Sequence, residues 1–160
     1  MIDKRALVAA LVAEITTEID TMVRLAKDAA DAATHEENKP ENDKDMRSTE
    51  ASYLARGQAG RVAELSAALA QLQGMELHSF GADEPVGISA IVELELEGKR
   101  SLCFVVPSGG GKKVRLGDVS IQTTTPTSPL GEAIVGLGAG DEAEVRTPQG
   151  LREYRVVRVS

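Results

Sequence analysis

Residues 35–45 run His35-Glu36-Glu37-Asn38-Lys39-Pro40-Glu41-Asn42-Asp43-Lys44-Asp45 and separate two long apolar repeats. Five carboxylates stand there against two lysines. On the N-terminal side, residues 3–34 contain no Gly or Pro. Val8, Ile15, Met22 and Ala29 recur every seven residues, and Val12, Ile19, Ala26 and Ala33 recur in a second register. Seven-residue apolar spacing is the seam of a coiled coil. Pro40 lacks a backbone donor and biases Lys39 away from helix, so it ends the first arm. On the far side, Ala51, Gln58, Leu65 and Leu72 form one register and Ser48, Ala55, Val62 and Leu69 the other. Both seams taper toward the break, from Leu, Ile and Val to Ala and Ser. A shared taper predicts an antiparallel helical hairpin with an acidic tip at 35–45. At 1.5 Å per residue each arm is about 45 Å long. Gly57 and Gly60 interrupt the second arm, and Gly74 ends it.

From Met75 the composition changes. Residues 76–84 read as a linker, placing the helical hairpin at 1–75 and a second domain at 85–160. Ile88–Glu97 alternates apolar and polar residues and stops at Gly98-Lys99, as a strand entering a turn. Ser101–Val106 is a continuous apolar strand, and Lys113–Thr123 reads as another extended or irregular stretch. Ser128 before Pro129 predicts a capped short helix over Pro129–Gly136. Glu142–Thr147 and Glu153–Val159 are strands joined at Pro148-Gln149-Gly150. The expected class is α+β: an N-terminal antiparallel coiled coil followed by one antiparallel sheet with a short helix.

Composition narrows the function. With 18 basic and 25 acidic residues the net charge is −7, which argues against binding along a nucleic-acid backbone or an anionic membrane. Trp is absent, and Phe80, Phe104, Tyr53 and Tyr154 are the only aromatics, too few for base stacking. No apolar run is long enough to span a membrane. Cys103, the single cysteine, excludes an internal disulfide, suits a reducing cytoplasm and sits in an apolar run as a core residue. The Gly-rich loop Ser108-Gly109-Gly110-Gly111 lacks the spacing and the Lys-Ser/Thr ending of a phosphate-binding loop. The hydroxyls of 123–128 have no partnered base and read as a surface loop. The tip carboxylates have two readings. One is a solvated turn. The other is an incomplete Mg²⁺ site, with Glu37 and Glu41 as ligands and Asp43 nearby, completed by a partner's ligands.

The segment Thr127-Ser128-Pro129-Leu130-Gly131-Glu132-Ala133-Ile134-Val135-Gly136, then Gly140-Asp141, then Thr147-Pro148-Gln149-Gly150, is similar to the closing signature of the bacterial GreA/GreB transcript-cleavage factors. The two-part organisation resembles the same family across nearly the whole chain. The resemblance implies an FKBP-like C-terminal domain that docks at the secondary channel of RNA polymerase, with Ser128, Pro129 and Leu130 as contact residues. It implies a coiled coil whose tip carboxylates help hold a Mg²⁺ shared with the polymerase active site, so that backtracked RNA is cleaved by the polymerase itself. Nascent RNA would be met only inside the polymerase, by a cytoplasmic and monomeric factor that is not an enzyme. Where the family has Asp-x-x-Glu-Asn, this chain has Asn38-Lys39-Pro40-Glu41-Asn42, with Glu37 one residue early. The alternative is therefore a non-cleaving regulator or inhibitor in the same channel. Prolyl isomerisation, which an FKBP-like fold also suggests, lacks an aromatic-lined pocket.

Overall fold

The computed structural model describes residues 2–36 and 44–160, with side chains for 2–32 and 54–160. Two long helices come first, α1 (Lys4–Glu36) and α2 (Lys44–Gln73). Asp3 caps α1: its Oδ1 accepts from the amides of Arg5 (2.8 Å) and Ala6 (3.2 Å). The chain divides into two compact units, Glu14–Ala67 and a larger one made of Met1–Ala13 with Ala68–Ser160.

Within Glu14–Ala67 the two helices run antiparallel. Arg61 Nη2 lies 3.3 Å from Glu18 Oε1, and Ile15 and Leu65 are buried. Much of the expected seam holds here, with Ile19, Met22, Ala26, Gln58 and Val62 half-buried, whereas Ala29 and Ala55 are exposed.

At the root of α1 the seam differs from the expectation. Leu7 and Leu11 are buried, while Val8 and Val12 are only half-covered. On α2, Ala68 joins Leu72 inside. These residues belong to the compact unit that contains the sheet, so the buried stripe is set by that larger body as well as by the partner helix.

The sheet has six strands in the order β3-β4-β2-β1-β6-β5. They are β1 (Ile91–Leu96), β2 (Lys99–Val105), β3 (Lys113–Leu116), β4 (Val119–Thr124), β5 (Glu142–Thr147) and β6 (Gly150–Val159), with α3 (Pro129–Ile134) between β4 and β5. The β1–β2 hairpin turns through Glu97 (φ 51°) and Gly98 (φ 76°), two successive left-handed residues that match strand twist. Two expectations are corrected. Lys113–Thr123 is not one stretch but the antiparallel hairpin β3–β4. The sheet is also mixed, because β4 lies parallel to β2, with Leu102 opposite Ile121 and Val105 opposite Thr124. The connection through β3 reverses the chain once more than the sequence reading allowed.

One sheet face builds the core. Val92, Leu94, Cys103, Val105, Ala143, Val156 and Val159 pack there with Ile134 of α3, and Phe80, Leu130 and Tyr154 close the edges. The opposite face carries an ion-pair lattice over β1. Arg100 reaches Glu93 (3.0 Å) and Glu95 (3.5 Å), Arg155 reaches Glu95 (2.9 Å), and Arg158 reaches Glu93 (3.6 Å). The alternation of β1 thus separates an apolar face from a charged one.

Candidate functional site

The site residues expected from sequence fall in two places. Glu37, Glu41 and Asp43 lie outside the described residues. Ser128 is the cap of α3, and Pro129 and Leu130 begin its first turn.

Ser128 caps α3. Its hydroxyl donates to the Thr125 carbonyl (2.8 Å) and accepts from the Gly131 amide (3.1 Å). The Thr124 hydroxyl is 2.6 Å away and is the donor in that pair, since the single Ser128 proton is already used. Pro129 follows at the first helical position, where a missing N–H costs nothing. Pro129 is exposed, whereas Leu130 is half-buried against the core. The three residues therefore divide their work: Ser128 and Leu130 hold the corner, and Pro129 presents it to solvent beside exposed Thr127 and Val135.

Gly131 makes this corner possible. A Cβ there would overlap the Thr125 carbonyl oxygen and stand 2.7 Å from the Thr125 carbonyl carbon and 3.1 Å from Pro126 Cα. The helix thus lies directly on the backbone of 125–126. Gly131 stands within the signature segment, where its neighbours in sequence do not reveal this role. Its only sequence signal is a glycine inside a helical turn, where Ala would otherwise be favoured.

The hydroxyl stretch is not a surface loop throughout. Thr123 and Thr124 are buried. Thr123 Oγ1 donates to the Gly109 carbonyl (2.8 Å) and accepts from the Lys112 amide (3.0 Å), while the Gly111 amide bonds the Thr123 carbonyl (2.8 Å). β4 runs further than the sequence suggested and carries these threonines inward. The Gly-rich loop is thereby pinned to β4, and the amides of Gly111 and Lys112 are already bonded within the protein, not turned toward an anion.

Cys103 is buried, and that burial pushes its thiol up to about 12, opposed by a backbone hydrogen bond from Val92. Such a thiol is a packing group and not a nucleophile. On the surface, Glu84 is held below the ordinary carboxylate range, first by the Gly81 amide and then by His78. Burial lowers the Lys4 ammonium. Among the described residues no group of three or more His, Cys, Asp or Glu is placed to hold a metal ion.

Residues 84–160 match the family model described as "Transcription elongation factor, GreA/GreB, C-term". The chain is 22% identical to transcription elongation factor GreA of Pelobacter propionicus, over 85% of this chain and 80% of that protein. It is 31% identical to GreA of Polaromonas naphthalenivorans over 62% of this chain and 61% of the relative. It is also 35% identical to transcription inhibitor protein Gfh1 of Thermus thermophilus, over 49% of each chain. The last two alignments thus span less than two thirds of the relatives' lengths.

Proposed function

We propose that the chain works as a member of the GreA/GreB family, from the match of residues 84–160 to that family's C-terminal model. On this reading it is a transcription elongation factor that binds RNA polymerase at the secondary channel. The α3 corner docks, with Pro129 as the exposed contact and Ser128 and Leu130 fixing its position. The helical hairpin carries the tip toward the polymerase active site. The chain itself is not the enzyme; it adds groups to a catalytic centre that the polymerase owns.

The tip's donor set suits a hard cation, since carboxylate oxygens are the ligands that Mg²⁺ prefers. Glu37 and Glu41 would hold the ion together with polymerase and substrate oxygens, with Asp43 adding negative charge beside them. When bound, such an ion polarises phosphoryl oxygens and activates water for in-line displacement. Two or three carboxylates without a full octahedron bind weakly alone, which suits a shared site. Nascent RNA is then met only inside the polymerase, because a chain of net charge −7 is not built to neutralise phosphates. Among the described residues no helix is long and apolar enough to cross a membrane. A monomeric, cytoplasmic factor fits this role.

The observation that carries the proposal is the family match over 84–160, where the α3 corner is built from hydrogen bonds and a close backbone approach. A second reading has its own support. Asn38 stands where the family has its first acidic residue, and one relative is named as a transcription inhibitor. A non-cleaving occupant of the channel would act by charge or by blocking nucleotide access.

The test is RNA cleavage in a stalled, backtracked elongation complex with Mg²⁺. Shortened RNA that is lost in the Glu37→Ala/Glu41→Ala variant supports cleavage stimulation. Slowed elongation without shortening supports the inhibitor. A protein that neither binds polymerase nor alters transcription overturns both.

A further inference from the structure

The segment 76–84, expected as a linker, is bonded at several points within the compact unit of Met1–Ala13 and Ala68–Ser160. His78 is the centre. Its amide donates to Ser89 Oγ (2.8 Å), and its carbonyl accepts from Lys4 Nζ (2.6 Å) in the first turn of α1. The two anchors come from opposite sides of the sequence, 74 residues apart for Lys4 and 11 for Ser89. The same ammonium lies 4.7 Å from the centre of the Phe80 ring, within cation–π range. Phe80 packs on the sheet core and meets the His78 ring edge-on at 4.8 Å. On the outer side, His78 Nε2 is 3.1 Å from Glu84 Oε1, and Glu84 Oε2 accepts from the Gly81 amide, closing the turn.

Ser89 is the unusual member. It is fully buried, and its φ of 68° is one that L residues other than Asn and Asp rarely adopt. Its own amide donates to the Val105 carbonyl (2.8 Å), at the end of β2. Glycine would hold this backbone more easily, yet the chain places there a hydroxyl that is bonded to His78. A strained residue held by its surroundings, with its one polar group committed to a neighbouring segment, is the pattern of a positioning residue.

We propose that Lys4 and Ser89 are the two anchors of a latch, closed through His78, that joins the root of the helical hairpin to the sheet as one body. On the proposed function, from which this last step follows, a polymerase contact at the α3 corner is then communicated to the root of the helices, because both belong to the latched body. Lys4 and Ser89 belong neither to the α3 corner nor to the 35–45 segment. They act by fixing geometry.

The variants are Ser89→Gly, which removes the hydroxyl while suiting the backbone, and Lys4→Met, which keeps the stem and removes the ammonium. In the full-length protein, hydrogen exchange of the His78 amide is expected to quicken at least tenfold in Ser89→Gly. Exchange at the Val156 amide, which donates to the Asp141 carbonyl (2.8 Å) away from the latch, should stay within twofold. Unchanged exchange at His78 overturns the latch, as does equal loosening of Val156. With purified bacterial RNA polymerase, the double variant should bind within twofold of the parent, while its effect on RNA cleavage or elongation falls at least fivefold. An undiminished effect, or binding and effect lost together, overturns the positioning role. If the parent itself does not bind polymerase, the proposed function fails, while the exchange measurement still decides the latch.

Discussion

Replacing Gly131 with Ala should damage the α3 corner, although Ala is the better helix former. The added methyl would overlap the Thr125 carbonyl oxygen and sit 2.7 Å from its carbon, so helix or loop must shift. That oxygen accepts from both the Ser128 amide (3.0 Å) and the Ser128 hydroxyl (2.8 Å), so moving it strains the cap. Forced overpacking costs about 1–3 kcal/mol. Weakening the two hydrogen bonds adds about 0.5–1.5 kcal/mol each. Against this, Ala in a helix gains about 1 kcal/mol over Gly. The balance is a loss of about 1–5 kcal/mol, centred on about 3. At roughly 2–4 °C per kcal/mol for a chain of this size, Tm should fall by about 6–12 °C. Thermal melting followed by circular dichroism reads this directly. A Tm that is unchanged or raised would mean that helix propensity wins and that α3 does not lie on the 125–126 backbone, which would refute the reasoning.

Gly57 in α2 makes the opposite case, because a Cβ there meets nothing within 4 Å. Gly57→Ala should stabilise by about 1 kcal/mol, raising Tm by roughly 2–4 °C, and a fall in Tm would show an unseen contact. Cys103, with its thiol pushed up to about 12, should resist a thiol reagent at pH 8 until the domain opens in denaturant. Stoichiometric labelling of the native protein within minutes would contradict its burial. Glu84 has a folded-state pKa depressed below its ordinary 4.5, so its contribution is present above that value and is lost as pH falls through the depressed one. A Tm difference between the parent and Glu84→Gln should therefore be seen at pH 7, begin to shrink as pH falls below 4.5 and vanish only below the depressed value. A difference that persists or grows there would reverse the sign.

Local patterns and distant contacts were legible to different degrees. The helices could be read because coiled-coil spacing and Pro40 act within a few residues. The β1–β2 hairpin could be read from the alternation that ends at Glu97-Gly98, and the α3 start from Ser128-Pro129. The parallel β2–β4 pair could not, because parallel partners are joined by a crossover and leave no turn signal. Thr123 and Thr124 were misjudged for a related reason: their burial depends on the strand beside them. Of the expected site, the corner residues proved to divide between holding and presenting. Glu37, Glu41 and Asp43 lie outside the described residues.

By itself the sequence determined two long arms around an acidic break, an α+β domain after them, and the segment that resembles the GreA/GreB closing signature. These follow from periodicity, turn chemistry and caps, which are set by near neighbours. Only the tertiary structure decided that Leu7 and Leu11 are buried in place of Val8 and Val12. It alone revealed that Gly131 presses on Thr125, and that Lys4 and Ser89 meet at His78. Each of these joins residues that are separate along the chain, and such contacts exist only once the chain has packed.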